Sequence, residues 1–467
     1  MSFTSLTFII FLLVTLFAYW LVKKREWQNA VLLVASYVFY GWVSPQLSLL
    51  LGSSTLLDFL LARGMTVKPA RTRLFMTFSL ALNLGVLAFF KYYNFFGEDL
   101  ARVAGALGLN DDIFLTRILL PAGLSFYTLK KLGYMIDVSR GTLKPTHTLA
   151  DFALYVSFFP QIVAGPIERP QKLLPQIEAR RDWKAEYFFD AWPLIVMGLF
   201  KKIVIADNIK VIADQVFTLN DASIFLLGMG ALAFTLQILA DFSGYTDMSR
   251  GFALLFGFQT SENFNLPYAS LTPTDFWNRW HITLSTWLRD YVFFPVGRSI
   301  KKSRIKLPQW LVLSIPPIAT MFVSGLWHGA GWNFVIWGLY YGVLISVYQL
   351  LGFRGDWKPR SLPARVFAWL VMFLFIVFGW AMFRASSLAW LGNSLFHQPF
   401  IRSYSEWIVG LIAFSMLAVY SLPLLVKLAL DRYAKDGWLV SAYYALATVA
   451  VIIFLNASSP DFIYIQF

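Results

Sequence analysis

The sequence predicts an all-α, polytopic membrane protein, and three observations predict it. Hydrophobic residues make up 58% of the 467 positions and charged residues only 14%, against about 25% charged in average soluble chains. Aromatic side chains are abundant, with 18 Trp, 21 Tyr and 45 Phe. Apolar runs long enough to cross the hydrocarbon core, which takes a helix of about 20 residues, recur along the chain. Residues 1–467 are therefore read as one integral membrane domain rather than divided by length into soluble ones.

The first span runs roughly from Phe3 to Val22 and stops at Lys23-Lys24-Arg25. No basic region precedes it and no small-residue cleavage site follows, so the expectation is a retained span rather than a signal peptide. A second span covers about Asn29 to Trp42. A third opens at Pro45 and ends before Arg63, and a fourth runs from Leu74 to about Phe96. From Ile113 to Ile177 the apolar pattern is interrupted by Pro121, Pro145, Pro160, Pro166, Pro170 and Pro175. Broken helices at membrane depth are tolerated only where buried in protein or lining a wet cavity, so this region predicts the wall of an interior chamber.

Trp192 to Ile205 is apolar but carries Lys201-Lys202, expected to snorkel towards an interface. Ile224 to Phe258 predicts a long helix with Gln237, Asp241, Ser243, Tyr245, Thr246 and Asp247 at its middle. Such a polar inner face fits a hydrogen-bonded network between helices. Later spans fall near Leu311–Gly325, Phe334–Leu351, Arg365–Phe383, Ile408–Leu425 and Leu439–Leu455, for about ten to twelve membrane segments including re-entrant ones. No internal repeat points to an inverted-repeat transporter.

The formal net charge is +13. In a soluble chain this would suggest nucleic acid, but here excess Lys and Arg are what cytoplasmic loops of membrane proteins carry. No nucleic-acid partner is expected; the surrounding partners are membrane lipids. The positive-inside rule places the loops at 23–26, 63–73 and 298–306 in the cytoplasm and the N-terminus outside. A basic cytoplasmic face would also attract an anionic donor such as a coenzyme A ester.

Cysteine is absent, which removes disulfides and thiol nucleophiles. The four histidines are His147, His281, His328 and His397, with no pair at metal-ligand spacing. No metal site is expected. There is no Gly-x-Ser-x-Gly elbow, and Asp241-Phe242-Ser243-Gly244 lacks the glycine-rich loop a kinase would need.

Two stretches concentrate polar chemistry. Phe276 to Tyr291 crowds His281, Asn278, Arg279, Ser285, Arg289 and Asp290 between tryptophans. As a helix it would put His281 and Ser285 on one face at i, i+4, and Trp280 and Trp287 at i, i+7. That pattern fits a membrane-surface anchor with an internal Arg–Asp pair as well as a site. Ser324 to Phe334 ends a long apolar run at His328, among Gly325, Gly329 and Gly331. An ionisable residue in such a run is a functional candidate, and imidazole can take a proton from a hydroxyl. A hydrogen bond to a neighbouring helix is the structural alternative.

Six stretches carry a family likeness: Gln161 to Arg169, Met197 to Lys202, Asp241 to Asp247, Glu262 to Tyr268, Phe276 to Tyr291, and Gly325 to Ala330. In this order they resemble the membrane-bound O-acyltransferase family, and most closely its bacterial branch, the membrane subunits that O-acetylate alginate and other exported polysaccharides. The resemblance implies a ring of spans around a funnel or tunnel. It implies that His328 is the catalytic histidine and that His281 is a second polar residue of the core, orienting a group or stabilising the oxyanion. Acetyl-CoA is then the expected donor and a periplasmic serine acyltransferase the expected partner. The acceptor would be an alginate- or cellulose-type polymer, with peptidoglycan or teichoic acid as alternatives. A polysaccharide or lipid transporter is the alternative outside the family.

The tail Phe462-Ile463-Tyr464-Ile465-Gln466-Phe467 fits Phe-x-Tyr-x-x-Phe. It resembles the C-terminal motif of the small membrane protein of teichoic-acid D-alanylation, whose tyrosine is held to carry the acyl group. That resemblance makes Tyr464 an acyl carrier; an aromatic interfacial anchor is the alternative. Phe90 to Phe95 fits the same pattern. Two departures from the family pattern bear on the docking of acceptor or partner: Lys130-Lys131 after Ser125-Phe126-Tyr127-Thr128, and Arg250 three residues beyond Asp247.

Overall fold

The structure is a computed structural model that describes residues 1–42, 44–107, 118, 120–434 and 437–455. Its regular elements are helices, with no strand among the described residues. Among the described residues seven helices are long and apolar enough to cross a membrane, and Leu6–Leu21 and Trp438–Phe454 are shorter apolar helices. Two further expected segments fall short for physical reasons. Arg25–Gly41 is 17 residues long and opens on charged and polar side chains. Ala185–Leu199 stops at 15 residues, where the helix widens into a π turn over Phe200–Ala206.

The chain forms two compact units, Met1–Trp192 with Ser249–Ser261, and Pro193–Met248 with Glu262–Phe467. The first contains α1 (Leu6–Leu21), α2 (Arg25–Gly41), α3 (Pro45–Val67), α4 (Thr72–Ala106), α5 (Leu124–Ser139), α6 (Leu149–Ser157) and α7 (Pro170–Glu178). Ser5 starts α1 by accepting the Phe8 amide on its hydroxyl at 3.2 Å, which satisfies one of the orphan donors of a helix N-terminus. Rings from separate segments build the core: Phe8 lies 5.0 Å from Phe252 and 6.0 Å from Phe39, centroid to centroid.

From Leu124 onward the proline-broken region folds as the helices α5 to α7. Phe152, Tyr134 and Tyr155 are fully buried there, so its irregular backbone is enclosed by protein. Gly123 takes a left-handed φ of 78°, and a Cβ there would strike the Ile162 carbonyl, a position only glycine fills without strain. Lys130 and Lys131 are both buried. Lys131 Nζ lies 3.4 Å from Asp58, which also accepts from the Ser79 hydroxyl at 2.6 Å and the Asn83 amide at 2.8 Å. Lys130 donates to Gln161 at 3.3 Å and sits over the Tyr155 ring. This departure from the family pattern is thus taken up inside the unit, not offered on a docking surface.

Helix α8 (Ala185–Leu199) runs from the first unit into the second, where the π turn and α9 (Asp207–Phe217) follow. Then come α10 (Ile224–Leu255), α11 (Pro273–Arg279), α12 (Ile282–Leu288) and α13 (Phe294–Lys302). The series closes with α14 (Gln309–His328), α15 (Trp332–Leu350), α16 (Leu362–Arg384), α17 (Leu388–Phe396), α18 (Tyr404–Tyr433) and α19 (Trp438–Phe454). Gly198 and Gly244 let α8 and α10 approach closely, since a Cβ on either would meet the other's carbonyl oxygen. That approach decides the fate of the lysine pair. Lys202 does not snorkel: it is buried, 2.8 Å from Asp207 and 2.9 Å from Asp241. Lys201 reaches Asp247 at 2.6 Å. A buried ammonium is tolerable only when paired in this way.

Candidate functional site

The site is built by a break that periodicity did not announce. The stretch from Phe276 to Tyr291 is not one helix. Thr272 starts α11 by accepting the Asp275 amide at 3.1 Å. Trp280 then turns extended and His281 takes a left-handed φ of 42° before α12 begins. Leu266 and His281 are the two non-glycine residues with positive φ among those described. Such backbone costs about 1–3 kcal/mol and persists where the surroundings impose it. Here the 262–268 segment imposes it: the Asn265 amide donates to the Arg279 carbonyl and the Ile282 amide to the Asn263 carbonyl, each at 3.0 Å. The expected shared face of His281 with Ser285, and of Trp280 with Trp287, does not exist as helix geometry, because the helix restarts at Ile282.

His281 is buried, and its Nδ1 lies 3.2 Å from Asn263 Oδ1. The edge of the ring meets Phe242 of α10 at 4.7 Å, and Trp327 of α14 lies at 6.2 Å. Burial pushes the imidazole from its ordinary 6.5 down to about 3, because the charged form is desolvated. The ring is therefore neutral near pH 7.

His328 is the last residue of α14 and is 5% exposed. Trp327 at 4.9 Å, Trp337 at 5.0 Å and Phe383 at 5.5 Å surround it, each close to perpendicular. These walls come from three helices. Close packing of α14 on α15 makes them meet: a Cβ on Gly325 would strike the Phe334 carbonyl, and one on Gly338 the Met321 carbonyl. Small residues at such crossings are how membrane helices approach. The same aromatic network continues from Trp337 through Trp380 to Trp280, the neighbour of His281. Both predicted histidines are thus gathered in one cluster, and both touch Trp327.

Beside this cluster lies a cavity of about 220 Å³ whose wall includes Trp277, Ser285, Arg289, Thr320, Ser324 and Gln349. Ser324 is one helical turn before His328, and Trp277 packs on Trp337 at 5.7 Å. Neither histidine lines this cavity; its mostly apolar walls with a few polar groups, as small-molecule sites have, meet the imidazole cluster through Trp277 and Ser324. Among the described residues no group of three or more side chains is placed to hold a metal ion. Tyr464 lies outside the described residues. Asn263 and the backbone turn at His281 are what sequence reasoning missed; Asn263 stood inside the Glu262 to Tyr268 stretch without a role.

The family model for membrane-bound O-acyltransferases matches residues 139–383, which span both histidines. The probable alginate O-acetylase AlgI of Pseudomonas aeruginosa is 39% identical over 397 residues, 84% of this chain and 74% of that protein. The peptidoglycan O-acetyltransferase of Helicobacter pylori is 34% identical over 396 residues, 78% of this chain and 72% of its own length. The teichoic acid D-alanyltransferase of Bacillus subtilis is 29% identical over 273 residues, 56% of this chain and 68% of its own.

Proposed function

The chain belongs to the membrane-bound O-acyltransferase family, and from that premise we propose that it moves an acetyl group from cytoplasmic acetyl-CoA across the bacterial inner membrane for O-acetylation of an exported polysaccharide. It is a multi-pass membrane O-acyltransferase. The observation that carries the finer reading is His328, set among three aromatic rings at the end of α14, one helical turn beyond Ser324 in the wall of the cavity.

In the proposed reaction His328 takes the phenolic proton of Tyr464, and the oxygen attacks the acetyl carbonyl carbon. The new C–O bond forms as the C–S bond breaks, and the thiolate of coenzyme A leaves with the proton returned by the imidazolium. A phenol with an ordinary pKa of about 10 needs such a base to become a nucleophile. His281 is the second polar group of the same cluster. The acetyl group would then pass from Tyr464 to a serine of a periplasmic acyltransferase and on to the polymer. An alginate- or cellulose-type acceptor is favoured by the similarity to probable alginate O-acetylases; peptidoglycan is the alternative that the Helicobacter relative supports.

Incubation of the purified, reconstituted protein with labelled acetyl-CoA tests the reading. Label on the wild-type protein, absent from Tyr464→Phe, is expected. Equal label on both would remove Tyr464 as the carrier, and analysis of which polymer loses acetyl groups in a deletion strain identifies the acceptor.

A further inference from the structure

We infer that Asn263 is a positioning residue that fixes His281 as the tautomer protonated on Nδ1, leaving Nε2 as the lone-pair nitrogen. The inference rests on the reading of the cluster as the acyl-transfer site and adds a proton assignment to it.

The argument starts from the one donor whose polarity is not in question. The Thr283 backbone N–H points at Asn263 Oδ1 at 3.1 Å. A backbone amide only donates. With the Asn263 amide turned over, its NH₂ would oppose that N–H, and a buried donor of α12's first turn would lose its acceptor. Orphan donors at a helix start are costly to bury, so the oxygen belongs where it is. The Thr283 hydroxyl, at 2.9 Å, donates to the same oxygen. An amide oxygen has no proton to give, so the 3.2 Å contact with His281 Nδ1 is a hydrogen bond only if Nδ1 carries the hydrogen. A neutral imidazole with its proton on Nδ1 has its lone pair on Nε2.

The left-handed turn at His281 serves this arrangement. It lets Asn263 tie down the Ile282 amide with its carbonyl and the Thr283 amide with its side chain, while the ring swings back to the same side chain. Around the ring lie Phe242, Trp327 and Asn263, and Asn263 in turn holds Thr283. Charged groups on the packed elements are Asp241, paired with Lys202, Asp247, paired with Lys201, and Arg250 on α10; Asp275, paired with Arg279, on α11; Arg289 and Asp290, paired with each other, just beyond α12; and Glu262 at the start of the segment. His328, beyond Trp327, is the neighbouring titratable ring.

The chemical consequence is a choice between two roles. A nitrogen with a lone pair accepts a hydroxyl proton or orients a hydroxyl by accepting its hydrogen bond. It does not donate to an oxyanion. His281 therefore acts on the nucleophile's side of the reaction, and the stabilisation of the developing oxyanion falls to other donors.

The chain has only four histidines, so ¹⁵N-histidine labelling of the whole protein in lipid gives four rings to resolve. The resonances lost in His281→Gln identify this ring. At neutral pH the wild type is expected to carry its proton on Nδ1, and Asn263→Leu is expected to release the preference and lower kcat about a hundredfold, the scale of one acid–base group. A wild-type proton on Nε2, or an unchanged tautomer in Asn263→Leu, overturns the inference. Asn263→Asp keeps an acceptor for Thr283 and for the ring, so it folds if the cap alone matters. Its carboxylate should move the acid limb of the pH–kcat profile up by about 1–3 units, whereas a purely structural role leaves the limb in place. Full activity in His281→Gln would instead sink the acyl-transfer role of His281, with the tautomer measurement still standing.

Discussion

Lys202 Nζ lies 2.9 Å from Asp241 Oδ1, with both side chains buried, at the crossing of the π turn after α8 with the middle of α10. Removing Lys202 takes the ammonium from two carboxylates, Asp241 and Asp207 at 2.8 Å, and breaking a buried pair costs about 3–5 kcal/mol. Lys202→Met is therefore expected to lower the melting temperature in detergent sharply. Lys202→Met with Asp241→Leu should recover part of that loss. Equal melting of the single and double variants would mean that the two charges are not coupled.

The α14–α15 crossing predicts a second effect. Gly338→Leu forces a side chain against the Met321 carbonyl, and overpacking costs about 1–3 kcal/mol. It should destabilise the protein and weaken transfer by displacing Trp337 from His328. Gly392→Ala is the control, because nothing lies within reach of a Cβ there. Melting curves of the two variants decide the matter, and similar curves would contradict the close approach.

The two Phe-x-Tyr-x-x-Phe stretches are separable. Tyr92 is the tyrosine of the copy in α4. Tyr92→Phe is expected to leave acetyl labelling of the protein intact, and Tyr464→Phe to abolish it. Loss of label in Tyr92→Phe alone would assign the carrier role to the wrong copy. Mass spectrometry of the labelled peptide reads the result.

Stability should carry a proton signature from His281. Unfolded, the ring binds a proton near its ordinary 6.5; folded, burial delays this to about 3. Between those values the unfolded state holds more protons, so stability falls as pH drops through that window. Above it the residue adds no pH dependence. The difference in melting temperature between wild type and His281→Gln, followed from pH 7 to pH 4, isolates the term. A difference that stays flat over this range would contradict the burial of a neutral ring.

Much of the architecture was legible in the chain because long apolar runs leave few options for a backbone in lipid. Ile224 to Phe258 was expected as one helix and is helical over Ile224–Leu255. The polar residues at its centre were expected to face inward, and Asp241 does so. What periodicity could not reveal is where tertiary hydrogen bonds override a helical pattern. The segment around Asn263 breaks the helix at His281 from eighteen residues away in sequence, and no local signal marks that break. Lys202 departed from expectation in the same way: its partners Asp207 and Asp241 sit on α9 and α10, and α10 is brought near by Gly198 and Gly244. His328 was readable as an ionisable group ending an apolar run, but its walls come from α15 and α16, so the aromatic shell was not.

The most direct test of the account is the rate of acetyl transfer from labelled acetyl-CoA by His328→Ala in reconstituted membranes, compared with wild type of matched melting temperature. Loss of a general base costs about 10²–10⁴-fold. The account predicts a loss of that size in a folded protein, and transfer at the wild-type rate would contradict it.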